Sequence, residues 1–218
     1  MSIELSSAVL VVGAPRSGTS LVCDVLSRLG VNFGDPALFV DPNVNRHNPI
    51  FFELVELNRI NDEMMAAMGW EFSDFTALPL PSDFTSGFAD RFEERVNSFL
   101  ENYFTSSATI GLKDPRFCFT LPLWTLLLSR RGINVNYLLT LRPEDAVTAS
   151  NYRLNPDRGM QHAKRIGLLS EGAARLFLRG LPTEEIHFEQ LAAHAKIAFD
   201  ALSRVTNVDV PSVEEAVA

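Results

Sequence analysis

The sequence predicts an α/β domain of the three-layer, doubly wound kind, with a mostly parallel sheet. Three observations predict it. Ala8-Val-Leu-Val-Val12 is a short, continuous run of apolar, largely β-branched residues that stops at Gly13, as a strand buried on both faces does. Leu21, Val22, Val25, Leu26 and Leu29 then recur at helical spacing up to Gly30. A second strand-like run, Asn134–Leu141, leads into Pro143, a residue that the start of a helix accepts. Strand, glycine-containing turn and helix in succession are how such a domain begins.

The remaining elements follow in order. Residues 31–50 hold three prolines and several Asn and Asp, and read as a loop. Phe52, Val55, Leu57, Ile60, Met64 and Met68 predict a helix ending near Gly69. Residues 73–87 are rich in Pro, Ser, Thr and Asp and read as a second long loop. Phe92, Val96, Phe99, Leu100 and Tyr103 mark a helix over 88–104; Thr109–Leu112 reads as a strand, with a turn at Lys113–Arg116 and a helix over 121–130. The last third predicts a helix within 160–179, a short strand near Glu185–Phe188 and a closing helix from 189 to about 205. With 218 residues and no internal repeat, one domain is the expected organisation, with a region of long loops and helices over about 31–105.

Composition narrows the function. Apolar residues make up 46% and charged residues 21%, which is ordinary for a globular chain. A formal charge of −8 disfavours nucleic acid and anionic membranes as partners, so an anionic ligand needs a local cluster of Arg and Lys. Cys23 and Cys118 sit in apolar stretches and read as buried free thiols, with no disulfide framework and no metal-ligand spacing. Glu4 stands where a signal peptide wants a cation, and no apolar run reaches membrane-spanning length. A cytoplasmic enzyme is the expectation.

The segment Gly13-Ala-Pro-Arg-Ser-Gly18-Thr-Ser20 has the glycine spacing of a P-loop. Its backbone N–H groups and the following helix N-terminus make an anion site. Where the nucleotide-hydrolysing loop carries Lys, this chain has Thr19, and the cation stands at Arg16 instead. Pro15-Arg-Ser-Gly-Thr-Ser20 resembles the 5′-phosphosulfate loop of the sulfotransferases that use 3′-phosphoadenosine-5′-phosphosulfate (PAPS). The resemblance implies that Arg16 lies against the bridging oxygen of the phosphosulfate, and that Thr19 and Ser20, with Ser17 and Gly18, form its cradle.

Tyr137-Leu-Leu-Thr-Leu-Arg142-Pro-Glu-Asp-Ala-Val-Thr-Ala-Ser150 is similar to that family's second signature, which implies that Arg142 and Ser150 hold the 3′-phosphate. Ser150 falls about two helical turns after Arg142, within about 10 Å along the axis at ~1.5 Å per residue. Lys113-Asp-Pro-Arg116 supplies further cations; Pro115 holds Asp114 extended, leaving Asp114 free to pair with one of them, and the resemblance implies that Lys113 or Arg116 faces the transferring group, with a structural salt bridge as the alternative. Glu185-Ile-His-Phe-Glu-Gln-Leu191 resembles a late strand-and-helix element of the family, in which Glu189 reads as structural. The C-terminal Arg-Lys-Gly segment of the animal cytosolic members is absent.

For the general base, Asn48-Pro-Ile-Phe-Phe-Glu53 resembles a family pattern that ends in Glu, although Ile50 and Phe51 replace its Lys-Gly. Glu53 is the first candidate and His47 the second; His162, His187 and His194 have no motif around them. The resemblance implies sulfuryl transfer from PAPS, without a metal, to a hydroxyl or amine of a small-molecule or glycan acceptor. The Phe residues at 33, 39, 51, 52, 72, 75 and 84 suggest an apolar acceptor pocket. Two readings remain open beside it: a P-loop kinase, for which Asp114 would organise Mg²⁺, and a nucleotide-binding protein of the same fold that has lost catalysis. Dimerisation through the aromatic loops is open as well.

Overall fold

The structure is a computed structural model that describes residues 5–41, 51–72, 74, 76–80, 84–105 and 107–193. Four strands form its sheet: β1 (Ser7–Val12), β2 (Thr109–Lys113), β3 (Asn134–Leu141) and β4 (Thr183–His187). All neighbours are parallel, in the order β2-β1-β3-β4. Eight helices are described: α1 (Thr19–Arg28), α2 (Val55–Ala67), α3 (Ser86–Asp90), α4 (Glu93–Tyr103), α5 (Phe117–Arg130), α6 (Glu144–Leu154), α7 (Met160–Leu178) and α8 (Phe188–Ala193).

The run Ala8–Val12 is fully buried because alternate side chains enter different cores. Ala8, Leu10 and Val12 join a large cluster with α2, α4, α5 and α7. Val9 and Val11 join a smaller one with Val22, Cys23 and Leu26 of α1, and with Leu191 of α8. Helices on both faces of a parallel sheet make the three-layer, doubly wound fold that the sequence predicts. The order also locates a crevice. The chain leaves β1 for β2 on one side and leaves β3 for β4 on the other, so the connections diverge beyond the carboxyl ends of β1 and β3, where such sheets bind ligands.

Several boundaries differ from expectation. The helix expected from Phe52 begins at Val55. Phe52 has φ 54°, a left-handed conformation that a helix cannot include, and its ring packs against Phe33 and Phe39 in the smaller core. The helix expected over 88–104 is two helices with a turn at Arg91 and Phe92. Helix α5 starts at Phe117 instead of 121, which takes Phe117, Cys118 and Phe119 out of solvent completely. His47, Asn48, Phe75, His194 and the closing helix beyond Ala193 lie outside the described residues. No helix among the described residues is long and apolar enough to cross a membrane.

Candidate functional site

The turn after β1 occupies the crevice. Ala14 is buried, Arg16 takes φ 74° and Gly18 takes φ 102° as the residue before α1. No side chain caps α1, so its first N–H groups are left to a ligand or water, and Gly18, Thr19 and Ser20, at the positive end of the helix dipole, line the crevice. Neighbouring elements hold the loop shape. Asn151 Nδ2 donates to the Pro15 carbonyl at 3.2 Å, and Arg142 Nη1 donates to the Arg16 carbonyl at 3.2 Å. Glycine is required twice. A Cβ on Gly13 would collide with the Thr140 hydroxyl, and one on Gly18 with the Phe188 ring.

The cations converge. Arg16 Nε donates to Ser150 Oγ at 3.1 Å, although 134 positions separate them in the chain. Arg142 stacks over the Phe188 ring with its guanidinium carbon 4.5 Å from the centroid. Its buried Nε makes no hydrogen bond; Glu189 Oε1 stands 3.7 Å away, close enough for a charge contact only. Burial holds the Arg16 pKa below its ordinary value, and the charges of Arg142 and Arg153 push the same way. Like charges crowded around an orphan donor form a site whose electrostatics improve when an anion enters.

On the other side of the loop stands a buried ion pair. Lys113, 4% exposed at the end of β2, contacts Glu53 Oε1 directly. Lys113 Nζ also donates to the Phe51 carbonyl at 3.0 Å and reaches Ser20 Oγ at 3.5 Å. Asn58 Nδ2, one turn into α2, donates to Glu53 Oε2 at 3.3 Å. Glu53 does not open the helix as expected; it precedes it, and its carbonyl accepts from Val40 N–H at 2.8 Å.

Arg16, Gly18, Thr19, Ser20, Glu53, Lys113 and Arg142 line one cavity of about 570 Å³. Ser150 stands behind Arg16. Ser17 is turned away: its hydroxyl bonds Thr140 at 2.8 Å and its N–H donates to the Ala14 carbonyl at 3.0 Å, so it holds the turn together and does not face the cavity. Arg116 is at the rim, held by Asp62 at 2.6 Å and Asp114 at 3.1 Å, and these carboxylates raise its pKa against the effect of burial. Asp114 is 1% exposed and fully engaged, since Oδ1 accepts from Arg116 N–H and Oδ2 from Asn61. Of the phenylalanines, Phe51 and Phe72 line the cavity, whereas Phe33 and Phe52 are core. Cys23 and Cys118 are buried free thiols, and burial pushes the Cys118 pKa up to about 12.

Sequence reasoning missed Thr140, Asn151, Asn58 and Phe188. The first three carry no local signal, because each acts across the fold. Phe188 does sit in the segment following β4, but only the packing puts its ring on Gly18.

No family model matches the chain, and no curated protein matches it. Solved structures do. A sulfotransferase domain from the Synechococcus PCC 7002 olefin synthase aligns with TM-score 0.58 and 14% identity, covering 98% of this chain and 76% of that one. A sulfotransferase domain from the curacin biosynthetic pathway aligns with TM-score 0.53 and 14% identity, covering 96% and 76%. The chain has the fold of the sulfotransferase domains.

Proposed function

We propose that the protein transfers a sulfuryl group from PAPS to the hydroxyl or amine of a small-molecule or glycan acceptor. The observation that carries this reading is the convergence of Arg16, backed by Ser150, and Arg142 on one crevice beside the uncapped N-terminus of α1. A nucleotide with a phosphate at each end of its ribose needs two anion sites on one face, and the orphan Nε of Arg142 fits a missing phosphate oxygen. Arg142 and Ser150 take the 3′-phosphate, while Gly18, Thr19 and Ser20 take the 5′ end.

The residues then have distinct tasks. Glu53 removes the acceptor's proton as the acceptor oxygen or nitrogen bonds to sulfur. The bond from sulfur to the bridging oxygen breaks, and that oxygen leaves on the nucleotide with the electron pair. Arg16 and the loop N–H groups receive its charge; preorganised donors of this kind are worth roughly 3–4 kcal/mol each. Lys113 holds the Glu53 carboxylate in place and lies beside Ser20, where it meets charge on the transferring group.

A P-loop kinase is disfavoured on two observations. The cation stands at Arg16 and not at Thr19, and Asp114 spends both carboxylate oxygens on Asn61 and Arg116. Titration calorimetry with 3′-phosphoadenosine-5′-phosphate (PAP), set against ATP with Mg²⁺, separates the classes. Tight PAP binding and no ATP heat are expected; ATP binding with PAP silent overturns the assignment. Loss of labelled sulfate transfer in Glu53→Gln with PAP affinity intact separates an enzyme from a binding protein.

A further inference from the structure

A second cleft, of about 700 Å³, opens beside the first and shares Arg116 and Phe72 with it. Its wall is built at the end of α2. Gly69, at φ 81°, donates to the Ala66 carbonyl and Trp70 N–H to the Met65 carbonyl, both at 2.9 Å. These two bonds form a Schellman cap, which fixes the direction in which the chain leaves the helix. Trp70 and Phe72 follow immediately. Each ring meets the completely buried ring of Phe119 edge to face, at 6.4 and 6.5 Å. Arg116 covers the Phe72 ring, its guanidinium carbon 4.8 Å from the centroid. The cleft is therefore aromatic and held rigid from below, as a preformed small-molecule site is.

Its charge is opposite to that of the inner cavity. Asp62 already answers Arg116 there, and exposed Glu71 adds a second carboxylate against that one guanidinium. The inner cavity sets Arg16, Arg142, Lys113 and the shared Arg116 against Glu53. A molecule lying across both meets aromatic walls and negative potential outside, and the cations inside.

Building on the reading above, we propose that this cleft is the acceptor subsite and that it selects flat aromatic alcohols carrying a protonated amine. The aromatic body rests against the wall that Trp70 and Phe72 form, the ammonium group faces Glu71 and Asp62, and the hydroxyl points toward Glu53. Carboxylated acceptors are rejected, because Glu71 and Asp62 repel them. The product is the sulfate ester of that hydroxyl, its proton passing to Glu53.

Three phenols of similar size but different charge test this: tyramine, 4-ethylphenol and 3-(4-hydroxyphenyl)propionate, titrated into PAP-loaded protein. Tyramine should bind at least tenfold more tightly than the propionate, with 4-ethylphenol between them. Glu71→Lys should remove or invert that order, and Trp70→Ala should weaken all three by tenfold or more, with Trp70→Phe recovering part. PAP affinity must stay unchanged in each variant, which also shows that the variant folds. Equal or tighter binding of the propionate, an order unaffected by Glu71→Lys, or no binding of any phenol overturns the proposal. Failure of PAP itself to bind overturns the nucleotide reading instead, and the phenols titrated into unloaded protein then still report on the cleft.

Discussion

Arg16 is a non-glycine residue held at φ 74°, a region that costs an L-residue about 1–2 kcal/mol. Three contacts hold it there: the Arg142 bond to its carbonyl, the Asn151 bond to the preceding carbonyl, and its own bond to Ser150. Strain kept at a residue whose guanidinium faces a cavity marks function. Arg16→Gly and Arg16→Ala both delete the guanidinium, but only glycine relaxes the backbone. Chemical denaturation should find the glycine variant more stable than the alanine variant by about 1 kcal/mol, while both lose labelled sulfate transfer by about 10²–10³-fold. An alanine variant as stable as the glycine variant argues that the left-handed turn is not maintained in solution.

At the scale of elements, the strand end at Lys113 and the segment before α2 meet through the Lys113–Glu53 ion pair and the Lys113 bond to the Phe51 carbonyl. Both side chains are buried, so removing one partner leaves an uncompensated charge. Lys113→Met should destabilise by roughly 3–5 kcal/mol. The double variant Lys113→Met with Glu53→Gln should recover more than half of that loss, since the orphan charge goes with it. Urea denaturation of Lys113→Met, Glu53→Gln and the double variant measures the coupling; additive losses would mean that the two groups do not touch. The same logic explains Asp114, which sits two residues before Arg116 and serves Asn61, whose Oδ1 in turn accepts from Thr120 and Trp124 at 2.7 Å. That network ties the floor of α2 to α5, and so fixes where the aromatic cleft lies relative to the inner cavity.

At the scale of the whole molecule, a net charge of −8 coexists with a crevice that gathers guanidinium groups from β1–α1 and β3–α6. Binding a polyanion there joins elements on both sides of the sheet's switch point, so it stabilises the fold as a unit. PAP at one hundred times its Kd should add about 2.7 kcal/mol. For a domain of this size that is a rise in Tm of roughly 5–10 °C. Calorimetry with and without PAP checks it, and an unchanged Tm at saturating PAP rejects the crevice as its site. The rise should be largely lost in Arg142→Ala.

How much could be read without coordinates depends on the range of the interaction. The buried strand Ala8–Val12, the helix behind it and the glycines at 13 and 18 were legible, since backbone geometry and hydrophobic period are local properties of the chain. The fold class followed from the same signals. The break at Phe52 was not legible, because packing against the rings of Phe33 and Phe39 overrode a periodic pattern, and the turn at Arg91 interrupts a helix whose apolar spacing runs on through it. Neither was the meeting of Arg16 with Ser150, of Lys113 with Glu53, or the turning of Ser17 toward Thr140. Each joins segments at least sixty positions apart. Local chemistry can name the groups available, but only the closing of the sheet decides which of them share a cavity and which are spent on holding it open.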